Sequence, residues 1–383
     1  MNNAHWKVML SDIEFNQEEA IAVSGILRSK WLSMGEKTAE FENYFKRMHQ
    51  VKYAVAVTNC TSALHLANLA LGIGRGDEVI CPALTFVATA NSILYAGALP
   101  VFADISSTND LTISPEDIER KISPRTKAIM LMHYGGYPCN MQKIRRIASR
   151  HNLFIIEDCA HAPLVKYGQK YLGAYGEIGC FSFFANKNIT TAEGGMLTTA
   201  SKDLARKLIS MRSHGMTSLT LDRYKGHASS YDVVDLGFNY RIDEIRSALG
   251  VAQLKKLAGF NQRRRQLVSY YRSRLDHITG IELPFQGFNL RESSCHIFPI
   301  LVKNSIERDR LRGFLKHTGI QTSLHYEPVH LFSYYRKRFP GVRLKTTEDV
   351  CRRVITLPLF ASLKRTQIDY IAKKIKQYFL EVR

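Results

Sequence analysis

Paired cysteines are the first thing the chain lacks. Its 7 cysteines stand at positions 60, 81, 139, 159, 180, 295 and 351, odd in number and without a C-x-x-C pair. That argues against a disulfide framework and against a structural zinc site. Cysteines inside apolar runs, such as Cys81 and Cys180, read as buried free thiols. Long hydrophobic runs are missing as well. None approaches the ~20 residues of a membrane span, and Met1 to Lys7 carry no apolar stretch of signal-peptide length. A cytoplasmic protein that makes no membrane contact is therefore expected. There is no G-x-x-x-x-G-K-[ST] loop, zinc finger, internal repeat, RNA-binding signature or basic helix interleaved with aromatics. Acidic residues are scarce: 34 Asp and Glu stand against 53 Lys and Arg, a formal charge of +19. Without a nucleic-acid motif, this surplus reads as a solvated surface that favours anionic small ligands.

A core-forming pattern is present. With 383 residues and 45% hydrophobic content, the chain has the size of two domains. From about residue 50 to 200, short apolar runs alternate with helical stretches. The strands predicted are 54–57, 78–81, 100–102, 128–132, 153–156, 179–183 and 196–199, with helices near 61–71, 85–96, 115–121, 140–151 and 202–212. Such alternation predicts an α/β domain on a mostly parallel seven-stranded sheet, with its ligand at the carboxyl ends of the strands. This large domain, with an N-terminal arm, is expected to span 1–250, and a smaller α+β domain 251–383. A long helix is predicted over 242–276, broken near Gly259, then a strand over 297–302 and helices near 305–318 and 364–382.

Chemistry-bearing residues cluster around these strands. The run Leu153-Phe154-Ile155-Ile156 ends in Glu157 and Asp158. Downstream, Phe181-Ser182-Phe183-Phe184-Ala185-Asn186 carries Lys187 into a turn of amides, hydroxyls and glycines that ends at Gly194-Gly195. A strand-borne carboxylate and a turn-borne lysine are the two groups a pyridoxal phosphate enzyme needs. The amine bonds the cofactor covalently, and the carboxylate keeps the pyridine nitrogen protonated. Thr61 and Ser62 open a helix, whose free N–H groups suit a phosphate, although an ordinary helix cap has the same pattern. Ser182 can donate to the same anion, and Phe86, just past a strand end, can stack on a flat ring. His161 is expected at the start of the next helix, beside the ring edge.

These segments, in this order, resemble the DegT/StrS family of sugar aminotransferases, fold type I pyridoxal phosphate enzymes. Trp31-Leu32-Ser33-Met34-Gly35, Thr61-Ser62-Ala63-Leu64-His65, Thr85-Phe86-Val87-Ala88-Thr89, Glu157-Asp158-Cys159-Ala160-His161, Lys187-Asn188-Ile189-Thr190-Thr191 and Asn239-Tyr240-Arg241 carry the likeness over about residues 8–375. The resemblance implies that Lys187 and Asp158 are catalytic. It also implies that Thr61, Ser62, Phe86, His161 and Ser182 hold the cofactor, and that Asn239 reaches the phosphate in a neighbouring subunit of a homodimer. It implies L-glutamate as donor and an anionic keto-sugar as acceptor. Ser33, Arg223, Lys225, Arg241, Tyr326 and His330 are the candidate substrate contacts. Two alternatives stay open, a deoxysugar dehydratase and a non-catalytic cofactor-binding regulator. Phe184-Ala185-Asn186 and Ala192 depart from the common family pattern.

Overall fold

In the computed structural model, residues 6–218 and 230–382 are described. Seven strands form the main sheet: β1 (Tyr53–Val57), β2 (Glu78–Pro82), β3 (Leu99–Ala103), β4 (Thr126–Met132), β5 (Phe154–Asp158), β8 (Ile178–Ser182) and β9 (Gly195–Thr199). A short hairpin of β6 (Lys166–Tyr167) and β7 (Lys170–Tyr171) lies between β5 and β8. Across the main sheet the order is β1-β9-β8-β5-β4-β2-β3, and only β9 runs against its neighbours. The run Ala-Ile-Met-Leu-Met in β4, and the full burial of β2 and β8, follow from cover on both faces of the sheet.

Helices pack on the two faces of this sheet. They are α1 (Gln17–Ser29), α2 (Glu36–His49), α3 (Cys60–Ala70), α4 (Ala88–Tyr95), α5 (Pro115–Arg120), α6 (Met141–His151) and α7 (Lys202–Arg212). On one face Phe41, Phe45, Phe181 and Phe183 are fully buried together. On the other, α3 presents Leu64, Leu66 and Ala67 to Val55, Val57 and Leu197. Removing an aromatic such as Phe45 from this packing costs about 3–5 kcal/mol.

The predicted break at Gly259 does not occur. One helix, α8, runs unbroken over Glu244–Leu275, because an exposed helical glycine costs only about 1 kcal/mol and both ends of α8 are anchored. Its early residues Val251, Leu254 and Leu257 join the core of the large sheet. Its late residues Leu267, Val268 and Tyr271 join a second core. That core lies on the antiparallel sheet of β10 (Ile281–Glu282), β11 (Phe298–Val302) and β12 (Val354–Leu357). It is completed by α9 (Ser305–His317) and α12 (Arg365–Gln377), while α10 (Ser333–Arg338) and α11 (Lys345–Arg353) lead into β12. The first residue of α8 also caps α2, where Glu244 accepts from the amides of Gly35, Lys37 and Thr38 at 2.8–2.9 Å. All 7 cysteines are free. Among the described residues no helix is long and apolar enough to cross a membrane.

Candidate active site

A cavity of about 380 Å³ opens at the carboxyl ends of β1, β4, β5 and β8. Parallel strands end there with free backbone groups, and helix N-termini point toward it. The volume is in the range of small-molecule sites.

The two acidic residues that end β5 go opposite ways, as alternation along a strand requires. Glu157 accepts from the amides of Gly173, Tyr175 and Gly176 at 2.7–2.9 Å and lies 3.2 Å from His133 Nε2. Its carboxylate is fully used in anchoring the loop before β8. Asp158 faces the cavity. Its Oδ1 accepts from the Ala160 amide at 3.0 Å, and its Oδ2 from the Thr89 hydroxyl at 2.9 Å. Burial pushes the Asp158 carboxyl upward, while the Ala160 amide, the Thr89 hydroxyl and the Lys187 charge pull it down. Thr89 thus positions Asp158 from the first turn of α4, a role the sequence reading did not assign. Thr85, in the bend before α4, lies 2.7 Å from the Thr89 hydroxyl and supports it from the other side.

Lys187 follows a tight turn closed by its own amide on the Phe184 carbonyl at 2.9 Å. Burial lowers its amine to about 8, against the opposing pull of Asp158. Gly195 shows how closely this segment is packed: a Cβ there would lie 2.5 Å from the Asn59 carbonyl. Ala192 holds φ 67°, the left-handed region that favours glycine.

The phosphate end differs from expectation in one respect. Asn59, not Thr61 or Ser62, caps α3, taking both the Ser62 amide at 2.8 Å and the Ser62 hydroxyl at 3.0 Å. Ser62 is therefore buried and outside the cavity wall, its hydroxyl proton already committed. Thr61 and Ser182 do line the wall. The first-turn amides of Cys60 and Thr61 have no acceptor within the helix and suit an anion.

His161 lies in a turn after β5 rather than at a helix start, because the chain leaves β5 for the hairpin of β6 and β7. Its Nδ1 accepts from the Gly135 amide at 3.2 Å, so the ring proton sits on Nε2 and is donated to the Tyr326 hydroxyl, 2.9 Å away. The Tyr326 proton is then free to donate into the cavity. Burial lowers His161 well below the ordinary histidine range, with Lys187 adding to the effect. Phe86, 55% exposed, forms the opposite wall 6.1 Å from the Tyr326 ring.

Other expected contacts fall elsewhere. His330 is buried against Phe102 and 3.2 Å from Glu348, away from the cavity. Ser33 and Asn239 are exposed, and Arg241 is half-buried; none lines this cavity. Arg223 and Lys225 lie outside the described residues. His325, Glu193, Met132 and Asn186 line the wall without having been assigned a contact. Among the described lining residues Lys187 is the only lysine, and there is no arginine.

The residues present fit pyridoxal phosphate. They supply an amine of lowered basicity, a buried carboxylate with no cationic partner in contact among the described residues, an aromatic wall and a helix N-terminus in one cavity. Comparison with known proteins agrees. The model of the DegT/DnrJ/EryC1/StrS aminotransferase family matches residues 14–376. The spore coat polysaccharide biosynthesis protein SpsC of Bacillus subtilis (strain 168) is 38% identical over 367 residues, covering 94% of either chain. Helicobacter pylori PseC, an aminotransferase involved in the biosynthesis of pseudoaminic acid, superposes with a TM-score of 0.90 at 31% identity, over 97% of this chain and 99% of its own. NtdA of Bacillus subtilis, solved with bound cofactor PMP, superposes with a TM-score of 0.84 at 29% identity, over 94% and 80%.

Proposed function

The chain belongs to the DegT/DnrJ/EryC1/StrS aminotransferase family, and from that membership we propose that it moves the amine of L-glutamate to a nucleotide-linked keto-sugar on the way to an amino-sugar polysaccharide. One observation carries the reading: Lys187 and Asp158 face the same buried cavity, close enough that each shifts the other's proton affinity. Both the family and the donor set of the cavity call for pyridoxal phosphate.

When bound, the cofactor supplies an electron sink that stabilises negative charge at the substrate carbon. Asp158, whose anionic form is favoured by the Thr89 and Ala160 hydrogen bonds, would pair with the pyridine nitrogen and favour its protonated form. Thr61, Ser182 and the start of α3 receive the phosphate. Phe86 would stack on the ring. Lys187 would hold the cofactor covalently, and its amine, lowered to about 8, suits it to take and return a proton at the substrate carbon. Tyr326 donates a hydrogen bond to the bound ligand, and His161 holds it in place.

Among the described residues no arginine lines this cavity, so the anionic substrates need cationic contacts from beyond these residues. A homodimer with shared sites meets that need. Exposed Asn239 then serves the neighbouring site, and Tyr231, Val233, Val234 and Leu236, each more than half exposed, are covered by the second copy. Residues 251–383 act as the smaller domain that closes on the site, and the enzyme works in the cytoplasm. The test is the donor half-reaction: the purified holoenzyme with L-glutamate releases 2-oxoglutarate as pyridoxal absorbance gives way to pyridoxamine absorbance. No release with any amino donor overturns the reading.

A further inference from the structure

Two asparagines flank Lys187, and their bonding differs. Asn188 is saturated. The Pro163 carbonyl can only accept, so the Asn261 amide group donates to it at 2.8 Å and leaves its Oδ1 to accept from Asn188 Nδ2 at 2.7 Å. The Ser294 carbonyl takes the second proton of Asn188 Nδ2 at 3.0 Å. Asn188 Oδ1 therefore accepts from His296 Nδ1, 2.9 Å away. This chain of bonds settles the His296 tautomer: the proton is on Nδ1 and the lone pair on Nε2.

Asn186 is bonded differently. Its Oδ1 is buried and accepts from no described residue. Buried acceptors without a donor are costly and rare. Asn186 and His325 line the main cavity, and both also line a second, smaller cavity of about 20 Å³. His296, Ser11 and Thr356 complete its polar wall, and Leu10 and Leu359 belong to its apolar one. One water needs ~10–15 Å³ and two or more polar partners, and both conditions are met here. A sugar is far too large for this space. Both fixed groups, Asn186 Oδ1 and His296 Nε2, are acceptors, which matches the two protons of water.

We propose that this small cavity holds the water that amine transfer consumes and returns, bound between Asn186 Oδ1 and His296 Nε2. The inference rests on the aminotransferase reading. In the donor half an amino acid and one water yield an oxo acid, while the enzyme keeps the amine. In the acceptor half a keto-sugar takes that amine and one water is returned. Water must reach the site while the amino acid occupies the main cavity and must leave it while the sugar does, and a side cavity that shares Asn186 and His325 with the main one serves both needs. Asn186 is thereby a positioning residue for water.

Two measurements test this. A high-resolution crystal structure of the holoenzyme is expected to show a water within about 2.7–3.2 Å of both atoms. A dry cavity, or a water touching neither atom, overturns the site. The second uses Asn186→Leu holoenzyme with L-glutamate in D2O. Exchange of the Cα proton, followed by NMR, needs no water addition, whereas release of 2-oxoglutarate does. The ratio of release to exchange is expected to fall about 10-fold or more. An equal fall in both rates would mean that Asn186 only shapes the lysine loop, and an unchanged ratio would mean that the water is not used; either overturns the role. If wild-type enzyme neither exchanges nor releases, the donor reading fails, while the crystal structure still judges the water site.

Discussion

Two effects compete for the Lys187 amine. Burial favours its neutral form, and Asp158 favours the charged form. Burial is the stronger, and the amine is lowered from 10.5 to about 8. The neutral amine is the reactive form, so covalent capture of added pyridoxal phosphate by apoenzyme should accelerate as pH rises through about 8 rather than 10.5. Stopped-flow absorbance across pH 6–10 checks this, and a midpoint near 10 refutes it. Lys187→Ala should give no borohydride-stable adduct by mass spectrometry. Asp158→Asn removes a preorganised charge partner and should slow the donor half-reaction about 100-fold or more with the fold intact. Ser62 shows a residue-scale limit of sequence reading. Its place at a helix start was legible, but the neighbour that takes its proton was not, because Thr, Ser and Asn all cap helices.

Among the elements, α8 contains two glycines with opposite consequences. At Gly259 an added Cβ meets nothing within 4 Å. Gly259→Ala should therefore stabilise the protein by about 1 kcal/mol through helix propensity alone. At Gly250 the same Cβ would lie 2.6 Å from the Phe41 ring. Gly250→Ala should destabilise by about 1–3 kcal/mol, because the clash outweighs the propensity gain. Urea denaturation of the two variants reads both signs. Identical shifts would mean that α2 and α8 are not packed as described. Sequence pattern placed the helix but misplaced a break at Gly259, since propensity is a weak local preference and the anchoring of α8 in two cores is not local.

For the whole molecule, several buried histidines are held neutral. Burial lowers His49 to about 3 and His325 to about 4, and it puts His161 and His296 well below the ordinary range. Unfolded histidines titrate near 6.5, so between 6.5 and these lower values the unfolded chain binds more protons. Stability is present above about pH 6.5 and is lost as pH falls through the window below it. The urea midpoint should drop between pH 7 and pH 5, and an unchanged midpoint counts against these burials. If the site is shared between two copies, mixing Lys187→Ala with a variant at Asn239 should restore activity that neither has alone. Light scattering of wild type should give twice the chain mass.

Sequence alone determined the alternation of strands and helices and the order of the sheet-forming runs, and it singled out Lys187, Asp158, Thr61, Ser182 and Phe86, which the fold brings to one cavity. It did so because hydrophobic period and residue chemistry are local properties written along the chain. Tertiary structure decided what depends on neighbours distant in sequence. Asp158 turns to the cavity while Glu157 turns to a loop. His161 hands its proton to Tyr326, and His330 is withdrawn to Glu348. Asn188 is saturated, while Asn186 keeps a buried acceptor beside Lys187. Each of these follows from which donor meets which acceptor in space, and spacing along the chain carries no record of that pairing.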